Sequence, residues 1–212
     1  MSIYLSEDEQ IDAIKKFWNR YGNIISTFIM VLVLVIAGHQ WWDRRQNMIA
    51  QSASATYEQV IVSLSTHDTS TARIAAETIL TKFPNTVYAQ MSDLLLARMD
   101  MDKHDSPAAL KDLDGVIQHG KTTALQQIAR IRTAKILLAQ QKPEQALQTL
   151  AVVANSSFAA MTQEVQGDCY RALKDPAKAR LAYQAALAAT AQDAPIRVLL
   201  EMKLADLPGE KS

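Results

Sequence analysis

The sequence predicts an all-α protein: a single N-terminal transmembrane helix followed by a solenoid of helical hairpins. Three observations carry that expectation. An apolar run without Asp, Glu, Lys or Arg fills residues 21–42. No strand-like alternation of apolar and polar residues follows it. Beyond it, small and large apolar residues recur on successive helical segments at spacings of 33 to 37 residues.

The run comes first. Its apolar heart is Ile24 to Gly38, and no Asp, Glu, Lys or Arg occurs between Arg20 and Asp43. As a helix, Tyr21 to Trp42 reaches roughly 31 Å, close to the ~30 Å hydrocarbon core of a bilayer. Trp18 and Tyr21 stand at one end, and Trp41 and Trp42 at the other. Lys15, Lys16 and Arg20 lie outside the first aromatic belt, and Arg44 and Arg45 outside the second, as interfaces favour. Ser26 and Thr27 interrupt the run, and each can hydrogen-bond to the preceding helical turn. A cleaved signal peptide would be shorter and closely followed by a small-residue site. The nearest such triplet, Ala53-Ser54-Ala55, lies beyond Asp43-Arg44-Arg45. A buried helix would need a core around all its faces, and the remaining sequence has no such surplus. Three basic residues precede the span and two follow it, a slight bias that puts the N-terminus in the cytoplasm and the C-terminal part outside it.

At 212 residues with one span, one soluble domain is expected. Basic and acidic residues balance at 22 each, which leaves no basic stripe for nucleic acid. Glycine and proline are scarce, six of each, which favours helix. Cys169 is the only cysteine, so it has no internal disulfide partner. It reads as a small buried hydrophobe rather than a reactive thiol. His39, His67, His104 and His119 are scattered without ligand spacing, and no glycine-rich phosphate loop follows a strand. No catalytic residue, metal ligand, cofactor or small-molecule substrate is expected, and binding is the favoured class of function.

After the span, turn residues divide the chain into helices expected near 46–66, 70–83, 86–102, 106–119, 122–141, 143–154, 158–173, 175–190 and 195–206. Pro107, Pro143 and Pro176 fall at helix starts, where a missing N–H costs nothing. The organisation is then a tail over 1–21 with a short amphipathic helix, a span over 22–42, a juxtamembrane helix over 43–66, repeats over 67–194, and a capping helix with its tail over 195–212. Ala76, Ala109, Ala146 and Ala179 take like places in the second helix of each pair. Leu80, Leu113, Leu150 and Tyr183 follow four residues on, then Phe83, Val116, Val153 and Ala186. Such a period implies stacked hairpins sharing one core.

The last hairpin resembles the tetratricopeptide repeat through Gly167, Tyr170, Ala179, Tyr183 and Ala186. The small residues let two helices approach, and the large ones fill the space beside them. Ala134, Leu137, Ala146, Leu150 and Val153 match more loosely. In the second unit Ala97 fits, but Asp100 stands where an apolar residue belongs, and the first unit has a stretched turn. Over nearly its full length the chain also resembles the YfgM family of single-span inner-membrane proteins. The resemblance rests on Ile3-Tyr4, the run Asp8 to Trp18, Ser52-Ala53-Ser54 and Tyr57. It implies an ancillary subunit of the SecYEG translocon in the bacterial inner membrane, with a cytoplasmic N-terminus and a periplasmic repeat domain. It further implies a PpiD-like periplasmic chaperone as partner, and unfolded secreted proteins are a further class of partner expected for the repeat domain. A different implied role is a regulator on the cytoplasmic side, whose N-terminal tail holds a stress-response regulator.

Two surfaces are candidates for binding. Counting from Ala97, Ala134 and Gly167, the groove positions of the first helices are Met91, Leu94, Arg98 and Met101, then Ile128, Ile131, Lys135 and Leu138, then Met161, Glu164, Asp168 and Arg171. The first two sets are mostly apolar, and flexible methionines suit varied apolar chains. Two arrangements are open: a free groove, or one filled by the C-terminal helix. The second surface is the tail, where Ser6 and Glu9 make a capping box. Ile11, Ile14, Trp18 and Tyr21 form an apolar stripe that either lies on the cytoplasmic leaflet or docks on a protein.

Overall fold

Helix-favouring composition and regular stop signals produce the architecture directly. The computed structural model describes residues 7–152 and 156–208, with the backbone alone described at 7–10, 12–14, 16 and 156. The described residues form nine α-helices, one 3-10 turn at Ser156–Phe158 and no strand. The helices are α1 (Glu7–Ser65), α2 (Thr69–Lys82), α3 (Val87–Asp102), α4 (Ser106–His119), α5 (Thr123–Ala139), α6 (Pro143–Leu150), α7 (Ala159–Ala172), α8 (Pro176–Ala188) and α9 (Ile196–Ala205). The chain divides into two units, Met1–Gln51 and Ser52–Ser212. The expected capping box at Ser6 and the positions Val153 and Ile14 lie outside the described residues or side chains.

In the first unit, α1 carries the apolar run. Its richest eighteen-residue window has a mean hydropathy of 2.1, long and apolar enough to cross a membrane. Phe28 and Leu34 are 69% and 65% exposed, as side chains that face lipid are. Ser26 Oγ and Thr27 Oγ1 both donate to the Asn23 carbonyl, at 3.1 and 2.7 Å, which satisfies the polar interruptions inside the helix. The Phe17 and Tyr21 rings lie 5.2 Å apart, and the Arg45 guanidinium sits 5.6 Å from the Trp41 ring centre. His39 Nδ1 and Asp43 Oδ2 are 2.8 Å apart, a pairing one turn along α1.

The second unit is a stack of hairpins in which α3 packs on α4, α5 on α6 and α7 on α8. One turn makes each hairpin. His67, His104, Gln141 and Lys174 all take left-handed backbone, with φ of 60°, 61°, 61° and 59°. The N–H of the next residue reaches back five positions: Asp68 to Ser63 O, Asp105 to Asp100 O, Lys142 to Leu137 O and Asp175 to Tyr170 O, at 2.8–2.9 Å. This closes the outgoing helix as a Schellman turn. Asp68, Asp105 and Asp175 then cap the incoming helix, accepting from Thr71, Ala108 and Lys178 N–H groups.

Counting from these turns corrects the register of the first hairpin. The small position five residues after the turn is Ala72, with Ala109, Ala146 and Ala179 as its counterparts. Ala76 and Ile79 then stand where Leu113 and Val116 stand in the second hairpin, and all three first-hairpin residues are fully buried. Leu80 and Phe83, the expected core positions, only border that cluster. The turn is no longer than the others. Alanines at 72, 75 and 76 made two registers a helical turn apart look alike in the sequence. The partner position seven residues before the turn is Val60, fully buried, then Ala97, Ala134 and Gly167.

The helices α7 and α8 approach closely at Gly167. A Cβ there would meet Tyr183 Cε1 at 2.4 Å. Tyr183 is fully buried with Ala179, Ala186 and Leu200. Gly167→Ala is therefore expected to lower stability by roughly 1–3 kcal/mol through overpacking. An unchanged thermal melt of the full chain in detergent would contradict the close approach. Lys174→Gly is expected to raise stability by about 0.5–1 kcal/mol. It relieves a left-handed strain of about 1–2 kcal/mol against roughly 0.5–1 kcal/mol of added unfolded-chain entropy. A lower midpoint for this variant would show that the Lys174 turn is unstrained.

Candidate partner-binding groove

Each groove residue named from the sequence has a definite place. Arg98 and Lys135 are exposed, and Met91, Met101, Ile128 and Leu138 are half-buried. Leu94 and Ile131 are buried, at 6% and 4% exposure, and so are not groove anchors. Leu94 packs with Ala97, Ala109, Leu113, Val116 and Ala129, whereas Ile131 packs with Ala134, Ala146, Leu150 and Val165. The position three residues before the small marker turns toward the second helix of its own hairpin, not toward solvent.

The structure does bring Arg98, Met101 and Lys135 together. They line a pocket of about 310 Å³ between α3 and α5, floored by Leu113 of α4 and completed by Ala97, Arg132 and Ile136. Arg132 escaped the sequence reading because the groove rule skipped its position, although it lies three residues from Lys135 on the same helix. Its Nη1 donates to the Leu94 carbonyl at 3.0 Å. Burial, then the neighbouring Arg98 charge, holds its pKa below the usual value. A second pocket of about 450 Å³ shares Arg98 and is lined by Leu64, His67, Leu95, Met99 and Asp102 among others.

The third set of positions is occupied from within. Lys203 of α9 donates to Glu164 Oε1 and Asp168 Oδ2, both at 2.8 Å. Tyr183 OH donates to Asp168 Oδ1 at 2.7 Å. Burial alone would lower the Lys203 pKa, but its hydrogen bonds to Asp168 and Glu164 outweigh that and hold it above its ordinary value. Leu200, Leu204 and Leu207 pack with Ala179, Tyr183 and Ala186 of α8. The C-terminal helix thus closes the Glu164–Asp168 end of the groove and leaves the Arg98–Lys135 pocket open, a division between the two arrangements left open by the sequence. Met161 and Arg171 remain exposed.

On the tail, Ile11, Trp18 and Tyr21 are exposed on α1, at 49%, 61% and 42%. Cys169 is fully buried with Ile131, Val165 and Leu150, and burial followed by Asp168 pushes its thiol pKa up to about 11. It is a core residue.

Asp100, out of place in the repeat pattern, is buried and forms an ion pair with Arg73 of α2. Around it the carboxylates crowd. Burial, then the Asp112 charge, pushes Asp93 up to about 7, while burial, then Asp100, pushes Asp112 to about 6 against the opposing pull of Arg73 and Lys111. A folded-state pKa above the unfolded value means stability that is full below about pH 4 and lost as pH rises through 6 to 7. Asp93→Asn removes that loss. It is expected to stabilise the chain at pH 8 by roughly 1–2 kcal/mol, after allowing for partial solvent screening, and far less at pH 4. Equal effects at the two pH values would mean that Asp93 titrates normally.

Comparison with known proteins matches this geometry. The model of the tetratricopeptide repeat-like domain family covers residues 15–209. The chain is 25% identical over 207 residues to a protein of Escherichia coli (strain K12) named ancillary SecYEG translocon subunit, covering 98% of this chain and 99% of that one. It is 28% identical over 209 residues to the Neisseria gonorrhoeae protein of that name, covering 98% and 100%. It is 25% identical over 186 residues to that of Haemophilus influenzae, covering 88% and 91%. No solved structure matches. With one apolar helix, four matching hairpin turns and a family model over most of its length, the chain belongs to the tetratricopeptide repeat-like domain family, and its near-full-length relatives are named ancillary SecYEG translocon subunits.

Proposed function

We propose that this protein is a membrane-anchored adaptor of the SecYEG translocon. Its helix over residues 22–42 crosses the inner membrane with the N-terminus in the cytoplasm, and its repeat domain works on the periplasmic side. That domain binds a partner chaperone of the PpiD type or secreted chains as they emerge. The observation that carries this reading is the extent of the similarity. It runs over 98% of the chain and 99–100% of two relatives named for the translocon, so it takes in the apolar helix and the repeats together. The exposed side chains from Phe28 to Ile36 support the anchor, since a helix of that hydropathy needs lipid around it. The excess of Lys15, Lys16 and Arg20 over Arg44 and Arg45 supports the orientation. Within the repeat domain, Arg98, Met101 and Lys135 form the contact surface, with Met91, Ile128 and Leu138 at its margins.

Because Cys169 is buried, introduced cysteines can be labelled against a low background. Lys111→Cys is expected to react with an impermeant thiol reagent in intact spheroplasts, and Leu5→Cys only after lysis. The reverse pattern would overturn the orientation. Photocrosslinkers placed at Trp42 and at Met101 in native membranes are expected to capture translocon subunits and a periplasmic chaperone, respectively. Capture of neither would remove the adaptor reading.

A further inference from the structure

The pocket between α3 and α5 has an unusual electrostatic character for an apolar cavity. Its walls are Ala97, Met101, Leu113 and Ile136, and its rim carries Arg98, Arg132 and Lys135. Among the described residues, no carboxylate lies within ion-pair distance of Arg98 or Arg132. Lys135 has Glu164 at 3.9 Å, but Glu164 already accepts from Lys203 at 2.8 Å. Asp102 lies beyond Arg98, in the neighbouring pocket. Arg98 is close enough to Arg132 for their like charges to repel, and the Arg132 guanidinium is held in place by the Leu94 carbonyl. Two guanidinium groups without an ion-pair partner beside an apolar wall offer an incoming carboxylate charge-assisted hydrogen bonds.

We propose that this pocket takes an acidic, apolar stretch of polypeptide. A large apolar side chain enters among Ala97, Met101, Leu113 and Ile136. Asp or Glu side chains flanking it are bound at Arg98, Arg132 and Lys135. The proposal rests on the reading of this groove as the partner surface and adds the chemistry of what is recognised. Guanidinium groups grip carboxylates in two-pronged fashion, so the rim fixes orientation while the walls supply apolar burial. A basic or uncharged segment of equal hydrophobicity leaves Arg98 and Arg132 unpaired and is discriminated against.

The test uses the full chain in phosphatidylcholine nanodiscs and short fluorescent peptides with amidated C-termini. One peptide carries a Leu-Phe pair flanked by Asp and Glu, one has Asn and Gln in their place, and one has Lys. The acidic peptide is expected to bind about tenfold or more tightly than the amide peptide, a difference that salt reduces. R98E/K135E changes two exposed residues, so folding is expected to persist while that advantage disappears. R98K/K135R is expected to retain most of it. Should the charge reversal disturb folding, R98Q/K135Q and the salt dependence give the same reading. Equal binding of the acidic and amide peptides, or an acidic advantage unchanged in R98E/K135E, overturns the proposal. So does binding that appears only when the C-terminal carboxylate is freed, because the carboxylate would then not come from side chains. Crosslinking from Met101 in native membranes separates this from the wider reading. Polypeptide captured equally by wild type and R98E/K135E overturns the acidic chemistry but keeps the groove, whereas no capture from either overturns both.

Discussion

The repeat domain depends on one constraint, the distance at which two helices of a hairpin can lie. That distance is set by the residue between them. At Gly167 it is short enough for the Tyr183 ring to occupy the place of a Cβ. At Ala97 and Ala134 a methyl group still fits, and at Val60 a larger side chain is fully buried. The same left-handed turn follows seven residues later each time, so the second helix always returns against the same face. Stacking then buries one apolar cluster after another along the domain.

Because each hairpin is closed by its own small residues, charged groups can enter the spaces between hairpins. Asp100 occupies an apolar position and is kept there by Arg73 of the preceding helix. Glu164 and Asp168 are drawn together by Lys203. The second pairing shapes the charge along the groove. The Lys203 cluster uses up the acidic groups at one end. The Arg98, Arg132 and Lys135 rim is left without comparable partners, and that asymmetry gives the open pocket its positive character.

The apolar helix obeys a different solvent. Its side chains are exposed where those of the repeat domain are buried, and the hydroxyls of Ser26 and Thr27 bond back to Asn23. Length, aromatic ends and internal satisfaction of polar groups are what a bilayer demands.

By itself the sequence determined what depends on local patterning. The apolar run, the helix starts at Pro107, Pro143 and Pro176, and the small residues Ala97, Ala134 and Gly167 are read from composition and spacing. Local patterning does not distinguish two registers that differ by a single helical turn, so only the turn at His67 assigns Ala72 rather than Ala76 to the small position. Nor does it say which neighbour a side chain meets. Leu94 and Ile131 share a groove-like position in the sequence, yet helix rotation within each hairpin buries them. Arg132 joins the pocket through the relative placement of α3 and α5, residues 38 apart along the chain. Whether Glu164 faces a ligand or Lys203 was decided by α9 folding back across 39 residues. Contacts at that range are a property of the tertiary structure, because they depend on how whole helices are oriented rather than on the residues beside them.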